Sequence, residues 1–452
     1  MARLFGTDGV RGEANLELTP ELAYQLGRAA ALYFGEEHRE EGEAPSLLIG
    51  RDTRLSGPMF EAALAAGICS AGGQAVLAGI MPTPGIAYLT KQLEFQAGIV
   101  VSASHNPFYD NGIKFFGKDG YKLPDGVEDE IEALVRRVDL DDDLYRAHRG
   151  GIGTVEFRRD LQRRYIDFVK STIDTRLDGL RVVLDCANGA SYEIMPTILR
   201  ELGADLTVIH AAPYGTNIND GCGSTHLESL RQTVLRYQAD IGIAHDGDAD
   251  RCLCIDEKGD LMDGDHILVL CGLDMKKRGR LAKDTIVTTV MANIGFHQAL
   301  ERAGIKVEVT KVGDRYVLEN MLAHGYVLGG EQSGHIIFTD FTTTGDGSIT
   351  ALQVLQALMR SDQPASALNA LMVSYPQLLV NVIVSSKEGW EENAAIQEAI
   401  RIGTEEMGKN GRILVRPSGT EPLIRVMAEG TDQEQLDLLC HRIAAVIKKE
   451  LG

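Results

Sequence analysis

Leu47-Leu48-Ile49-Gly50-Arg51-Asp52-Thr53-Arg54-Leu55-Ser56-Gly57-Pro58 sets the architecture. The apolar run Leu47–Gly50 reads as a short buried strand that ends in a polar loop. Pro58 then suits the first turn of a helix through Ala66, where its fixed φ is helical and its missing N–H would be unpaired anyway. Strand-like runs follow at Ala75–Leu77 and Gly98–Val101. Strand alternating with helix implies crossover connections and a mostly parallel sheet. The last of these runs stops in Ser102-Ala103-Ser104-His105-Asn106-Pro107. Open α/β sheets place ligands beyond the carboxyl ends of their strands, which makes Ser104 a candidate nucleophile.

The rhythm recurs downstream. A helix is expected over Arg158–Thr172, a strand over Leu180–Asp185, a turn at Asn188-Gly189, a helix over Tyr192–Leu202 and a strand over Asp205–Ile209. A strand-loop-strand follows, with Ile241–Ala244 and Cys252–Asp256 flanking Asp246–Asp250. No Gly-x-Gly-x-x-Gly follows any of these strands, which sets a dinucleotide site aside. Helix Asp265–Met275, strand Thr285–Val290, helix Phe296–Ala303, strand Lys306–Thr310, helix Arg315–Ala323 and strand Tyr326–Gly329 make a third unit. After Met372 the strands Leu378–Val384, Arg412–Val415 and Leu423–Ala428 and the helices Glu391–Met407 and Gln433–Lys449 suggest a small α+β domain. The acidic run Asp139–Asp143 and the glycines of 150–153 mark the first linker. The expected domains are 1–153, 154–258, 259–372 and 373–452.

At 452 residues the chain exceeds what one hydrophobic core supports. A formal charge of −20 argues against nucleic acid or an anionic membrane as the main partner, and a phosphorylated substrate would need a locally basic cleft. The seven cysteines are scattered and form no Cys-x-x-Cys, which speaks against disulfides and zinc and for a reducing compartment. Met1–Gly9 has no signal-peptide pattern and no run approaches a membrane span, so a cytoplasmic protein is expected.

Three loops beyond Ser104 can carry chemistry. Asp246, Asp248 and Asp250 span at most ~14 Å when extended, so a curved loop can aim all three at one hard cation. An EF-hand needs glycine at its sixth position, where this chain has Arg251. A solvated acidic turn is the plain alternative, but it gives no reason to pack three like charges beside an arginine. In Arg416-Pro417-Ser418-Gly419-Thr420-Glu421-Pro422, Gly419 lets backbone N–H groups converge, Ser418 and Thr420 add hydroxyls, and Arg416 with Arg425 adds charge. That composition suits a phosphate, although turn residues alone would also connect two strands. Gly330–His335 offers Glu331 and Ser333 for hydroxyl groups and His335 for a proton, yet it could equally be ordinary surface. Lys114 is by default a solvated charge, and Arg11, in a glycine-rich amino-terminal stretch, could reach a phosphate.

Together and in this order, the loops around Ser104, Asp246–Arg251, Gly330–His335 and Arg416–Pro422 resemble those of the α-D-phosphohexomutase superfamily over the whole chain. Phe5–Gly12, Gly50–Gly57, Val312–Tyr316 and Gly329–His335 are similar to the bacterial phosphoglucosamine mutase branch. The resemblance implies three similar mixed-sheet α/β/α domains and a smaller C-terminal α+β domain around a central active-site cleft. It implies a phosphoserine at Ser104 and one Mg²⁺ per active site, held by Asp246, Asp248, Asp250 and a phosphate oxygen on Ser104. Glucosamine 6-phosphate and glucosamine 1-phosphate would interconvert through glucosamine 1,6-bisphosphate, with that compound or glucose 1,6-bisphosphate as activator. Such a reaction lies on the route to UDP-N-acetylglucosamine and peptidoglycan.

By the same resemblance, Arg251 stabilises transferring charge, Lys114, His335 and Arg11 join the catalytic set, and Glu331 and Ser333 grip the sugar. Arg416, Ser418, Gly419, Thr420 and Arg425 clamp the other phosphate. The expected partner is a phosphorylated amino sugar, with no nucleic acid and no membrane, and a homodimer is compatible. Other readings are a phosphoglucomutase or phosphomannomutase, a metal-dependent sugar-phosphate phosphatase, and a non-catalytic sugar-phosphate sensor.

Overall fold

A computed structural model of the chain describes residues 3–6, 8–36, 44–140, 146–408, 411–418 and 422–452. The expected linker residues 141–143 lie outside these. Contacts group Met1–Val290 with Val307–Ala370 in one compact unit, and Met291–Lys306 with Leu371–Gly452 in a second.

The first unit holds three sheets. The strands of the first are β1 (Val10–Glu13), β2 (Ser46–Arg51), β3 (Gln74–Ile80), β4 (Ala97–Val101), β5 (Asp110–Gly117) and β6 (Val155–Phe157), in the order β1-β5-β4-β2-β3-β6. β4, β2, β3 and β6 run parallel, whereas β5 is antiparallel to β4 and β1 is antiparallel to β5. The sheet is therefore mostly parallel, as its opening rhythm suggested, and made mixed by β5, which is reversed among the described strands. The cause is the link 102–109, which is shorter than the dozen or so residues a crossover needs, so the chain must double back. That reversal sets Lys114 opposite Val100. The strand Val155–Phe157 lies beyond residue 153 and still pairs with β3.

Helices Pro20–Glu36 and Gly57–Ser70 pack against each other, with glycine where the backbones approach. A Cβ on Gly67 would sit 2.1 Å from the carbonyl oxygen of Tyr24, and one on Gly27 would sit 2.4 Å from that of Leu64. Gly67→Ala is expected to destabilise by about 1–3 kcal/mol, because a close-packed interface must part to admit the methyl group. A urea midpoint equal to the parent's would contradict this.

β7 (Arg181–Asp185), β8 (Asp205–Ile209), β9 (Ile241–His245), β10 (Cys252–Asp256) and β11 (Leu261–Met262) build the second sheet in the order β11-β10-β9-β7-β8. β9 and β10 form an antiparallel hairpin whose connection is Asp246–Arg251. The third sheet, β13-β12-β14-β15, comprises β12 (Thr285–Thr289), β13 (Lys306–Thr310), β14 (Leu328–Gly330) and β15 (Ile336–Phe338). β14 and β15 are again antiparallel and are joined by Glu331–His335. Both expected chemical loops thus sit between paired strands, which restrict their backbones.

The second unit carries β16 (Gln377–Ile383), β17 (Gly411–Pro417) and β18 (Leu423–Gly430), antiparallel in the order β16-β18-β17. Helices Ala394–Met407 and Gln433–Leu451 close a core of Ile396, Ile424, Val426, Leu436, Leu439, Ile443 and Ile447. Helix Ile294–Arg302 belongs to this unit, although the chain passes through it between β12 and β13. Asn293 caps that helix through the Gly295 N–H and clasps Tyr375, accepting from its N–H and donating to its carbonyl, each at 3.0 Å.

Candidate active site

Ser104 follows β4 with a left-handed φ of 51°, a conformation that L-residues avoid and that surrounding contacts must hold. Arg54 supplies much of that hold. Its guanidinium donates to the carbonyls of Ser104 and Asn106 at 2.9 Å each, to Asp110 at 3.1 Å, and to Pro107. Asp52 pairs with Arg54 Nε at 2.9 Å, and both side chains are fully buried. Burial pushes the Asp52 carboxyl up, and the Arg54 charge opposes it. Asp52 also accepts from Ser102 Oγ at 2.6 Å, and Ser102 Oγ accepts from the Ser104 N–H at 3.0 Å. From the loop after β8, Asn219 donates to the carbonyls of Ser104 and Asn106 at 2.9 and 3.1 Å.

Ser104 Oγ donates to Asp246 Oδ2 at 2.5 Å. A Cβ on Gly247 would lie 2.5 Å from the Ser104 carbonyl oxygen, so glycine lets the two loops touch backbone to backbone. Asp246, Asp248 and Asp250 are buried, and each offers an oxygen within 4.8 Å of the others. Asp248 Oδ1 and Asp250 Oδ1 are buried without a hydrogen-bond partner. Orphaned carboxylate oxygens facing a serine hydroxyl fit a hard divalent cation, which takes oxygen ligands. The electrostatics agree: burial, then the charges of Asp250 and Asp248, push the Asp246 carboxyl well up. Burial would also raise Asp248, but the Lys114 ammonium and a hydrogen bond from Thr83 at 2.7 Å hold it down.

Lys114, read from the sequence as a solvated charge, is only 3% exposed and lies 3.1 Å from Asp248 Oδ2. His335 packs against the metal loop because Arg251 and His335 form a backbone bridge and the Cys252 N–H donates to the Gly334 carbonyl at 3.0 Å. Its Nδ1 lies 3.5 Å from Asp250 Oδ2, and its Nε2 accepts from the Gly345 N–H at 3.1 Å. Burial would lower His335, but Asp250 and Asp314 raise it to about 9. The Gly345 contact favours the neutral ring with its proton on Nδ1. The two influences oppose each other, leaving a group that can exchange a proton. His105, with Nδ1 3.4 Å from Ser104 Oγ, is lowered to about 4 by burial and then by Arg251 and Arg11.

Arg251 sits above this cluster with its backbone N–H on Asp246 Oδ1 at 3.2 Å and its Nε 3.9 Å from Asp250. Glu331 accepts from the Gly313 N–H at 3.1 Å, while Ser333 is exposed. Arg11 pairs with Asp8, which leaves its guanidinium partly engaged. In the second unit, Arg416 and Arg425 face each other across β17 and β18, and burial followed by the Arg425 charge lowers Arg416. Like charges at opposed strand positions are unfavourable unless an anion joins them. Ser418 is buried, and Lys387 donates to its carbonyl at 2.7 Å. Gly419 and Thr420 lie outside the described residues.

The sequence reading missed Asp52, Arg54, Thr83, Asn219, Lys387 and, around Lys114, Asp8, Lys122 and Asp314. Only the acid-base alternation of Arg51-Asp52-Thr53-Arg54 directly after a strand hinted at a buried pair.

Family descriptions of the phosphoglucomutase/phosphomannomutase domains match the chain in order. The α/β/α domain I covers residues 2–142, domain II 163–259, domain III 263–375 and the C-terminal domain 379–446. The phosphoglucosamine mutase of Symbiobacterium thermophilum is 54% identical over 452 residues, covering 100% of both chains. A solved phosphoglucomutase/phosphomannomutase family protein from Burkholderia thailandensis superposes with a TM-score of 0.79 at 25% identity, covering 99% of this chain and 98% of that one. Aspergillus fumigatus N-acetylphosphoglucosamine mutase, solved in complex with GlcNAc-6P and magnesium, shares the fold with a TM-score of 0.69 at 18% identity, covering 99% and 96%.

Proposed function

The chain belongs to the phosphoglucomutase/phosphomannomutase family, and we propose that it interconverts glucosamine 6-phosphate and glucosamine 1-phosphate. It is an isomerase that moves a phosphoryl group between two oxygens of one sugar. The observation that carries the mechanism is Ser104 Oγ at 2.5 Å from the Asp246 carboxylate, at the edge of a three-carboxylate cluster with orphaned oxygens.

In the proposed cycle Ser104 begins as a phosphoserine. The O1 hydroxyl of glucosamine 6-phosphate attacks that phosphorus, the bond to Ser104 Oγ breaks, and glucosamine 1,6-bisphosphate forms. Lys114 and His335 are the proposed proton-transfer groups: the one that is neutral when the sugar binds takes the O1 proton and later returns it to O6. After the intermediate turns over, Ser104 Oγ attacks the 6-phosphoryl group, O6 leaves and is protonated, and glucosamine 1-phosphate is released. Asp246, Asp248 and Asp250 would hold Mg²⁺, which supplies charge stabilisation to the transferring group. Arg251 adds a fixed positive charge beside it, and such preorganised charge is most of what phosphoryl transfer requires. Glu331 and Ser333 are proposed to bind the sugar hydroxyls, with Arg416, Ser418, Gly419, Thr420 and Arg425 binding the non-reacting phosphate. Arg11, already paired with Asp8, would add charge near the reacting group. No helix among the described residues is long and apolar enough to cross a membrane. We place the enzyme in the cytoplasm, feeding the route to UDP-N-acetylglucosamine.

Two measurements on the purified protein test this. Peptide mass mapping should find a phosphate on Ser104. Phosphorus NMR with Mg²⁺ and a trace of glucose 1,6-bisphosphate should show glucosamine 6-phosphate converting to the 1-phosphate, faster than the glucose and mannose analogues convert. Steady release of inorganic phosphate without the 1-phosphate would instead identify a phosphatase.

A further inference from the structure

Lys114 and His335 are tied together by a closed circuit of charges drawn from three parts of the first unit. Lys114 Nζ lies 3.1 Å from Asp248 and 3.2 Å from Asp8. Lys122 Nζ lies 2.9 Å from Asp8 and 2.7 Å from Asp314. His335 Nε2 lies 3.6 Å from Asp314, and its Nδ1 returns to Asp250 at 3.5 Å. Asp248 and Asp250 share the β9–β10 loop, so the path closes. Each proton-transfer candidate is thereby held at two ends, by one aspartate of the metal loop and by one aspartate outside it.

Lys122, in the turn after β5, joins those two outer aspartates. Burial opposes charge on Lys122 and Asp314, yet their pairing prevails: Asp314 is held at about 2 and Lys122 is raised. A cavity of about 210 Å³ borders Asp8, Lys114, Lys122 and Asp314. Close packing therefore does not hold these groups on that side, and ion pairing must. Without the Lys122 ammonium, Asp8 and Asp314 would be two like charges beside a void. Among the described residues, Asp8 would then be left to Arg11 and Lys114, and Asp314 to His335.

We propose that Lys122 is a positioning residue for phosphoryl transfer: by bridging Asp8 and Asp314 it holds Lys114 and His335 together against the metal loop. This rests on the mutase reading, and it concerns a side chain whose two ion-pair partners both lie outside the metal loop. A proton-transfer group displaced by about 1 Å loses on the order of a hundredfold in rate.

The experiment combines kinetics with a readout that does not depend on turnover. Lys122→Met should lower kcat by roughly a hundredfold while KM moves by less than about threefold, since ground-state binding is untouched. Lys122→Arg, whose fork can span two carboxylates, should recover activity to within about tenfold of the parent. In a Lys114→Met/His335→Gln background, Lys122→Met should cost less than about threefold, because the groups it acts through are gone. Equal losses in both backgrounds would overturn the proposal. Histidine-selective ¹⁵N NMR gives the independent test. The His335 ring signals, assigned with His335→Gln, should shift in Lys122→Met and return in Lys122→Arg, while those of His441, bonded to the Asp437 carbonyl on its own helix, stay fixed. Unmoved His335 signals would refute the proposal whatever the sugar substrate. A parent enzyme without mutase turnover would refute the mutase reading, and the NMR result would still decide the positioning.

Discussion

Replacing Ser104 by alanine is expected to lower mutase turnover by at least ~10⁴-fold while leaving bisphosphate affinity within about threefold of the parent. The hydroxyl is the only atom lost. Alanine keeps the Cβ, so the left-handed backbone at φ 51° is no more strained than before, and the Arg54 and Asn219 bonds to the residue 104 carbonyl do not involve the side chain. Asp246 loses its 2.5 Å partner but keeps the Arg251 N–H, so the metal loop should persist. Coupled assay and calorimetric titration of glucose 1,6-bisphosphate read the two quantities separately. Full activity in Ser104→Ala would end the phosphoserine mechanism.

Arg54→Met should be the most destabilising single change near the site. Arg54 and Asp52 are an ion pair with no exposed side-chain surface, and removing one partner of such a pair typically costs about 3–5 kcal/mol because the other stays buried and charged. The loss also frees the carbonyls of Ser104, Asn106, Pro107 and Asp110, so the loop should relax away from its left-handed turn and turnover should fall together with stability. Adding Asp52→Asn removes the stranded charge and should restore part of the urea midpoint, but not the activity, since the carbonyls stay unheld. A double variant no more stable than Arg54→Met would show that the buried charge is not the cause.

These two residues separate what was readable from what was not. Ser104 stood out because an apolar strand ended in a small polar loop, a pattern carried by neighbours in sequence. Asp246–Asp250 stood out for the same reason, and the structure places that loop in the hairpin expected of it. Arg54 did not, because an arginine in a polar loop is ordinarily solvated, and its partners at residues 104–110 are some fifty positions away. Lys114 was misjudged on the same grounds. Its burial depends on β5 folding back along β4, and only that pairing brings it beneath the metal loop. Asp8 and Asp314 fell in stretches marked only for their resemblance and Lys122 in none, since each is unremarkable until the other two are beside it.

The order of the loops and the residue types within them were thus determined by the sequence alone: a hydroxyl after a strand and three carboxylates in a loop between two strands. Local chemistry suffices there, because strand, turn and ligand preferences act over a few residues. What only the tertiary structure decided is how Ser104 meets Asp246 across 142 residues, which lysine is buried, and how charges from three parts of the first unit close into one circuit. Electrostatic pairing depends on distance and burial, and for groups so far apart along the chain both are set by sheet order and strand direction.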